Sequence, residues 1–400
     1  MEHGIDLGAL LLAFASALVG AKLFGELAER VGQPAVLGEL LAGVVLGPSV
    51  LGLVPLSDGI FLLAEIGVVL LLFEVGLDTD LEELIRVGGP ALAVALTGMV
   101  LPFAGGFLLT QLLGYEPLTA VFVGAALTAT SIGITARVLS ELKLLKTREG
   151  QIILGAAVLD DVLGLVILSI VAGVAEKGGL SGGAAVRTGL FSIGFLVLAL
   201  AVGIPLGRRL VHVVARSSVR GVLVAASVAF ALLVAWGARK AESAPIVGAF
   251  AAGVALARTN RRHDIEHAVK PIVDIFAPVF FVSVGAQADV RLLNPVVAEN
   301  RPALLLGLGL TLIGFVGKFL AGFCAWGGVR RAFIGAGMVP RGEVGLIFAS
   351  MGLATKALPQ RVFVAVLVAV FATTFVTPPL LKLLRPHAAR ALSEDPRPET

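Results

Sequence analysis

The sequence predicts an all-α, polytopic membrane protein on three observations: its composition, the length of its apolar runs and the placing of its basic residues. Of 400 residues, 57% are hydrophobic and 15% charged, whereas a soluble domain carries about 25% charge. The apolar runs are continuous rather than alternating, which suits helices and excludes a β-barrel. A formal net charge of only +3, without a basic aromatic patch, argues against nucleic-acid binding. The single cysteine, Cys324, excludes an internal disulfide and, inside an apolar run, is expected to serve packing.

A helix that crosses the hydrocarbon needs about 20 mostly apolar residues. Thirteen segments qualify: 5–28, 35–53, 59–77, 89–113, 118–138, 150–175, 184–207, 219–237, a short ninth at 244–257, 268–286, 302–326, 330–355 and 361–384. The first lacks a basic leader region and reads as a span, not a cleaved signal. With the N-terminus outside, the inner loops receive 19 of the 31 Lys and Arg and the outer loops 8; Lys22, Lys270, Lys318 and Arg341 fall within spans. That bias predicts N-outside, C-cytoplasmic topology in the cell (inner) membrane, with an odd number of spans. The transmembrane domain covers residues 1–384. Glu176-Lys-Gly-Gly-Leu-Ser-Gly-Gly183 is the candidate seam between halves, and the charged, proline-containing tail 385–400 is expected to be disordered.

The chain repeats itself at offsets of 209 to 212. Val36-Leu-Gly-Glu-Leu-Leu-Ala-Gly-Val44 matches Ile246-Val-Gly-Ala-Phe-Ala-Ala-Gly-Val254, and Glu74-Val-Gly-Leu-Asp-Thr-Asp80 matches Ser283-Val-Gly-Ala-Gln-Ala-Asp289. Pro90-Ala-Leu92 matches Pro302-Ala-Leu304, and Ala120-Val-Phe-Val-Gly-Ala-Ala-Leu127 matches Arg331-Ala-Phe-Ile-Gly-Ala-Gly-Met338. Repeat one runs over about 5–175, a linker helix over 184–207 and repeat two over about 219–384. Span two corresponds to span nine, and a shift of seven helices inverts topology. Inverted repeats with a midplane site are an architecture of secondary transporters. Spans five and twelve, in matched positions, also look broken: one carries Thr128-Ala-Thr-Ser-Ile-Gly133, the other Gly337-Met-Val-Pro-Arg-Gly-Glu-Val-Gly345. Such breaks free backbone groups, which the bilayer tolerates only where they are buried in protein or line a cavity.

Ionisable residues inside spans are costly and therefore informative. Asp160 and Asp161 sit in Gly155-Ala-Ala-Val-Leu-Asp-Asp-Val-Leu-Gly164, mid-way along span six. Helical neighbours point about 100° apart, so one faces a cavity while the other meets a helix partner. Lys318, deep in span eleven, needs a counter-charge, and a span-six aspartate supplies it. Arg341 and Glu343 flank the break in span twelve, where they neutralise half-helix ends or each other. Glu39 and Glu65 read as polar glue, Lys22 and Glu26 as a surface pair one turn apart, and Lys270 as reaching the interface.

These residues carry a family resemblance over about residues 10–385. Gly38-Glu-Leu-Leu-Ala-Gly43, Ala129-Thr-Ser131, Gly155-Ala-Ala-Val-Leu-Asp-Asp161, Lys318 and Pro340-Arg-Gly-Glu-Val-Gly345 resemble the NapA-type sodium/proton antiporters, in the monovalent cation/proton antiporter group that includes the Kef systems. The resemblance implies an NhaA-like fold, with a six-helix core containing crossed, broken fifth and twelfth spans that moves against a dimerisation domain. It further implies a homodimer without cofactor, exchanging Na+ (also Li+) for protons. Asp161 would then carry cation and proton, Asp160 would pair with Lys318, and Thr130 and Ser131 would help coordinate the cation. Glu74 departs from the apolar residue expected there. The lack of a nucleotide-binding domain after span thirteen separates the chain from the Kef type.

In that reading, burial favours the neutral acid, a hard cation competes through oxygen ligands, and the site changes sides by rocking of one bundle. A lysine that loses its proton when Asp160 turns to sodium makes exchange electrogenic. A K+/H+ antiporter, a sodium-coupled symporter and a cation channel without proton coupling remain open. An intramembrane aspartyl protease does not fit, since it places its aspartates on different helices, one in Gly-x-Gly-Asp.

Overall fold

Helices begin and end where local chemistry dictates. The computed structural model describes residues 6–79, 88–145, 147–176, 182–214, 219, 221–241 and 243–385. Residues 386–400 and the interior of the glycine-rich seam, for which a disordered tail and a linker were expected, lie outside the described residues. Helix α1 (Leu7–Arg30) starts at Asp6, whose carboxylate accepts from the Gly8 and Ala9 amides at 2.9 and 3.2 Å. This satisfies two of the amides that a helix start leaves open. Helix α2 (Ala35–Leu46) is shorter than the 35–53 run. Pro48 disfavours helical geometry at the residue before it, and Gly47 is extended, with φ −69° and ψ 174°. Twelve residues rise only about 18 Å.

Helices α3 (Asp58–Asp78) and α4 (Gly88–Leu112) follow the predicted spans. The fifth segment is two helices, α5 (Pro117–Ala126) and α6 (Ile132–Glu141). Helix α7 (Arg148–Glu176) runs unbroken through both aspartates, so they do not cap a helix end. Then come α8 (Gly182–Val214), α9 (Val222–Lys240), α10 (Pro245–Ala257) and α11 (Arg262–Ala286). Helix α12 (Arg301–Ala321) gives way to a 3-10 turn over Gly322–Cys324. The twelfth segment is again two helices, α13 (Arg331–Gly337) and α14 (Glu343–Ala354), and α15 (Gln360–Leu384) closes the order. Among the described residues, nine helices are long and apolar enough to cross a membrane.

The chain forms two compact units, each drawing on both halves of the sequence. The first is Met1–Leu81 with Leu165–Asn294, the second Glu82–Gly164 with Pro295–Thr400. In the first, helices cross with backbone against backbone at glycines. A Cβ at Gly43 would stand 2.1 Å from the Val282 carbonyl oxygen, and one at Gly285 2.1 Å from that of Leu40, so α2 and α11 touch through a reciprocal pair. Helices α10 and α3 meet the same way, Gly253 against Phe73 at 2.2 Å and Gly76 against Phe250 at 2.3 Å. Any side chain at these four positions would overlap a carbonyl. Small residues at helix crossings are how membrane helices gain packing without a hydrophobic drive.

Polar contacts in this unit correct some expectations. Glu26 pairs with Arg30 at 2.6 Å rather than with Lys22; an acid four residues before a base is the favoured helical order. Lys270 is exposed, as expected for a residue reaching the interface, and also lies 3.6 Å from Glu74, which is thereby half-buried beside a cation. Glu39 is buried but Glu65 is exposed, so Glu65 is not internal glue.

The second unit holds α4, the α5/α6 pair, the first part of α7, α12, the α13/α14 pair and α15. Pro102, inside α4, packs on α12, where a Cβ at Gly317 would stand 3.0 Å from the proline ring. Cys324 is exposed, with the Thr97 hydroxyl donating to its sulfur at 3.4 Å. It escapes the expected packing because α12 has already ended at Ala321.

Candidate functional site

The site lies wholly within the second unit, where the two broken pairs meet. Each break leaves carbonyls and amides without intrahelical partners, and the other pair satisfies several of them. The Ser131 amide donates to the Pro340 carbonyl at 3.0 Å. The Thr135 hydroxyl donates to the Gly337 carbonyl at 2.8 Å, and Thr128 turns back to Ala125 at 2.7 Å. Gly342 has no side chain for a reason: a Cβ there would come within 2.8 Å of the Ser131 Cβ.

Asp160 is fully buried on α7. Its Oδ2 accepts from the Lys318 ammonium of α12 and from the Thr130 hydroxyl, the latter at 2.7 Å. Thr130 Oγ1 is also 3.2 Å from the Met338 carbonyl, which ties the first break to the second. Asp160 Oδ1 is equally buried and accepts no hydrogen bond among the described residues. A buried carboxylate oxygen without a donor is costly, and a proton or a cation would relieve it. Asp161 is 4% exposed, on the next position of the same helix and therefore in a different direction. Ser131 is 4% exposed, in the break that Thr130 shares.

Arg341 meets a broken helix end, one of the two roles expected for it, and reaches further. It is buried at 1% exposure, and its guanidinium donates to the Ala129 carbonyl at 3.2 Å and to the Gly314 carbonyl of α12 at 2.8 Å. Its own carbonyl accepts the Thr374 hydroxyl of α15 at 3.0 Å. One residue, through its side chain and its carbonyl, thus joins three elements around the breaks. The expected pairing with Glu343 falls on a side chain outside the described residues. Two buried carboxylates and two buried cations, Lys318 and Arg341, share this interior. Unpaired, each charge would cost several kcal/mol.

Among the residues predicted for the site, Asp160, Thr130 and Lys318 are joined by hydrogen bonds, with Asp161, Ser131 and Arg341 buried in the same unit. Gly314, Met338 and Thr374 were missed. Two of them contribute backbone carbonyls, which no residue type advertises.

Both the sequence and the overall fold have counterparts among known proteins. The sequence matches the sodium/hydrogen exchanger transmembrane family over residues 13–384. The chain belongs to that family. The exchanger is 40% identical to the high-affinity Na(+)/H(+) antiporter NhaS3 of Synechocystis sp., over 95% of this chain and 89% of that protein. It is 37% identical to the Na(+)/H(+)-K(+) antiporter GerN of Bacillus cereus, over 91% of this chain and 93% of the relative. In fold, the exchanger is similar to the sodium proton antiporter MjNhaP1 of Methanocaldococcus jannaschii, with a TM-score of 0.68 at 19% identity, covering 97% of this chain and all of that one. It is a sodium/proton antiporter of the membrane, in a family of transporters rather than enzymes.

Proposed function

We propose that the exchanger carries its cation and its proton alternately on Asp161, with Asp160, Thr130 and Ser131 completing the oxygen ligands and Lys318 holding Asp160 between cycles. The observation that carries this reading is the state of Asp160: one oxygen is held by Lys318 and Thr130 while the other accepts nothing. Binding of one ion expels the other, because a desolvated carboxylate site does not hold both. A sodium ion that draws Asp160 from Lys318 leaves that lysine free to release a second proton, which makes exchange electrogenic. No cofactor enters the cycle.

Thirteen membrane crossings in an NhaA-like fold, N-outside and C-cytoplasmic, accommodate the helices if α5/α6 and α13/α14 each count as one discontinuous span. The glycine crossings support the inverted repeat. Gly43, Val282, Gly285 and Leu40 map onto Gly253, Phe73, Gly76 and Phe250 at offsets of 209 to 210, so the same contact recurs. A third pair follows suit: Gly38 meets the Phe24 carbonyl at 2.1 Å and Gly248 the Val234 carbonyl at 2.5 Å. In this reading, residues 5–175 and 219–384 are the repeats, 184–207 the linker and 385–400 a disordered tail; the Kef-related grouping and the homodimer follow from the resemblance.

The test is reconstitution in liposomes with an imposed pH gradient and a lumenal pH dye. Proton release is expected on adding sodium or lithium, and none in Asp161→Asn. Ion-coupled proton movement retained in that variant refutes the assignment. Potassium/proton exchange is the second reading, favoured by the relative named as a Na(+)/H(+)-K(+) antiporter; a response to potassium alone selects it.

A further inference from the structure

Lys318 presents three N–H donors in a fully buried site, and its hydrogen bond goes to Asp160 Oδ2. If sodium draws that carboxylate away, the lysine head needs another acceptor, because a buried donor without one is costly. Helix α4 lies against it. A Cβ at Gly98 would stand 3.3 Å from Lys318 Nζ and 3.2 Å from its Cδ, so the absence of a side chain there is what lets the lysine head approach α4. Four residues further along the same helix is Pro102, buried. Proline has no N–H, so the Gly98 carbonyl lacks the donor that a regular helix would provide. Pro102 is also gripped beside the lysine, its ring packed on Gly317. A glycine and a proline at i and i+4 of α4 thus face adjacent positions of α12, Lys318 and Gly317.

We propose that the Gly98 carbonyl, left without its helical donor by Pro102, is a second station for the Lys318 head group, occupied when a cation has taken Asp160. This rests on the exchange reading above and deepens it. The station makes release of Asp160 easier and so strengthens cation binding without touching the cation. A proline that merely bends α4 would affect stability but would not depend on Lys318.

The experiment is a coupled pair of substitutions, read by sodium KM in proteoliposomes and by the sodium-dependent rise in unfolding temperature in detergent. Pro102→Ala returns an N–H to the Gly98 carbonyl. It is expected to raise the sodium KM by about three- to tenfold, the order of one hydrogen bond from the neutral amine that remains after proton release, with the maximal rate within about twofold. In a Lys318→Ala background the same change is expected to leave sodium-induced stabilisation unaltered. Gly98→Ala, which crowds the lysine head, is expected to act like Pro102→Ala and carries the test if that variant folds poorly. An unchanged KM in both, or an equal penalty with and without Lys318, overturns the station. A sodium response surviving in Asp161→Asn overturns the exchange reading itself, which separates the two failures.

Discussion

The two units solve the same problem, close approach of helices inside a membrane, but only the second adds interrupted helices to its glycine contacts. In the first, whole helices cross and the contact is made by removing side chains: Gly43, Gly285, Gly253 and Gly76 each face a carbonyl at a distance that no Cβ tolerates. The second uses glycines too, as at Gly335 against the Phe319 carbonyl at 2.1 Å, but its two interrupted pairs add polar groups that answer one another's broken ends, such as Ser131 to Pro340, Thr135 to Gly337 and Arg341 to Ala129. At the first unit's crossings the helices run unbroken, so the contact itself interrupts no backbone hydrogen bonds and frees no ligand atoms. Broken helices expose carbonyls and amides, so the second kind offers ligand atoms. What shapes the proposed ion site is the cost of interrupting a helix in hydrocarbon, compensated locally by hydroxyls, a guanidinium and a lysine.

This contrast can be broken in order of expected effect. Lys318→Ala leaves Asp160 buried without its cation, and removing one partner of a buried pair costs about 3–5 kcal/mol. The unfolding midpoint in detergent should fall sharply at neutral pH. The deficit should shrink as pH falls, because protonation of Asp160 removes the unpaired charge; a deficit that does not depend on pH would mean that the pair is not ionic. Gly43→Ala in the first unit should cost about 1–3 kcal/mol by overpacking, with no pH dependence. Gly253→Ala should cost the same within about 0.5 kcal/mol. Clearly unequal losses would break the equivalence of the two glycine crossings. Thr374→Val removes one buried hydrogen bond to the Arg341 carbonyl and should cost about 0.5–1.5 kcal/mol, detectable as a small midpoint shift. Lys270→Met should cost no more than about 1 kcal/mol, since Lys270 is 59% exposed and solvent screens its 3.6 Å contact with Glu74 from that side.

What was legible in the sequence followed from rarity. Charges inside apolar runs are scarce, so Asp160, Asp161 and Lys318 stood out, and the structure joins Lys318 to Asp160. The two interrupted segments were visible because proline, glycine and hydroxyl clusters contradict a smooth span. The early end of α2 was also within reach, since Gly47 precedes Pro48, but the apolar run beyond it hid the stop. Arg341 was expected to meet half-helix ends, and it does reach the Ala129 carbonyl in the other break, but which carbonyls it would choose was not legible, since a carbonyl belongs to every residue alike. Glu26 was matched to the wrong neighbour for a simpler reason: Lys22 and Arg30 are each one turn away, and sequence spacing does not choose between them.

The pairing of Asp160 with Lys318 also has a history in time. The two residues are separated by 158 positions, and a ribosome working at about 5–20 residues per second needs roughly 8–30 s to cover that distance. For that interval the nascent chain holds two aspartates inside or beside the bilayer with their lysine not yet made. The first-made segment must therefore wait as neutral acids or near water, and it can settle at full depth only once the later helices arrive. Biogenesis of this exchanger is committed by its C-terminal third, and a chain truncated before Lys318 should be handed to the quality-control proteases rather than retained as a half-transporter.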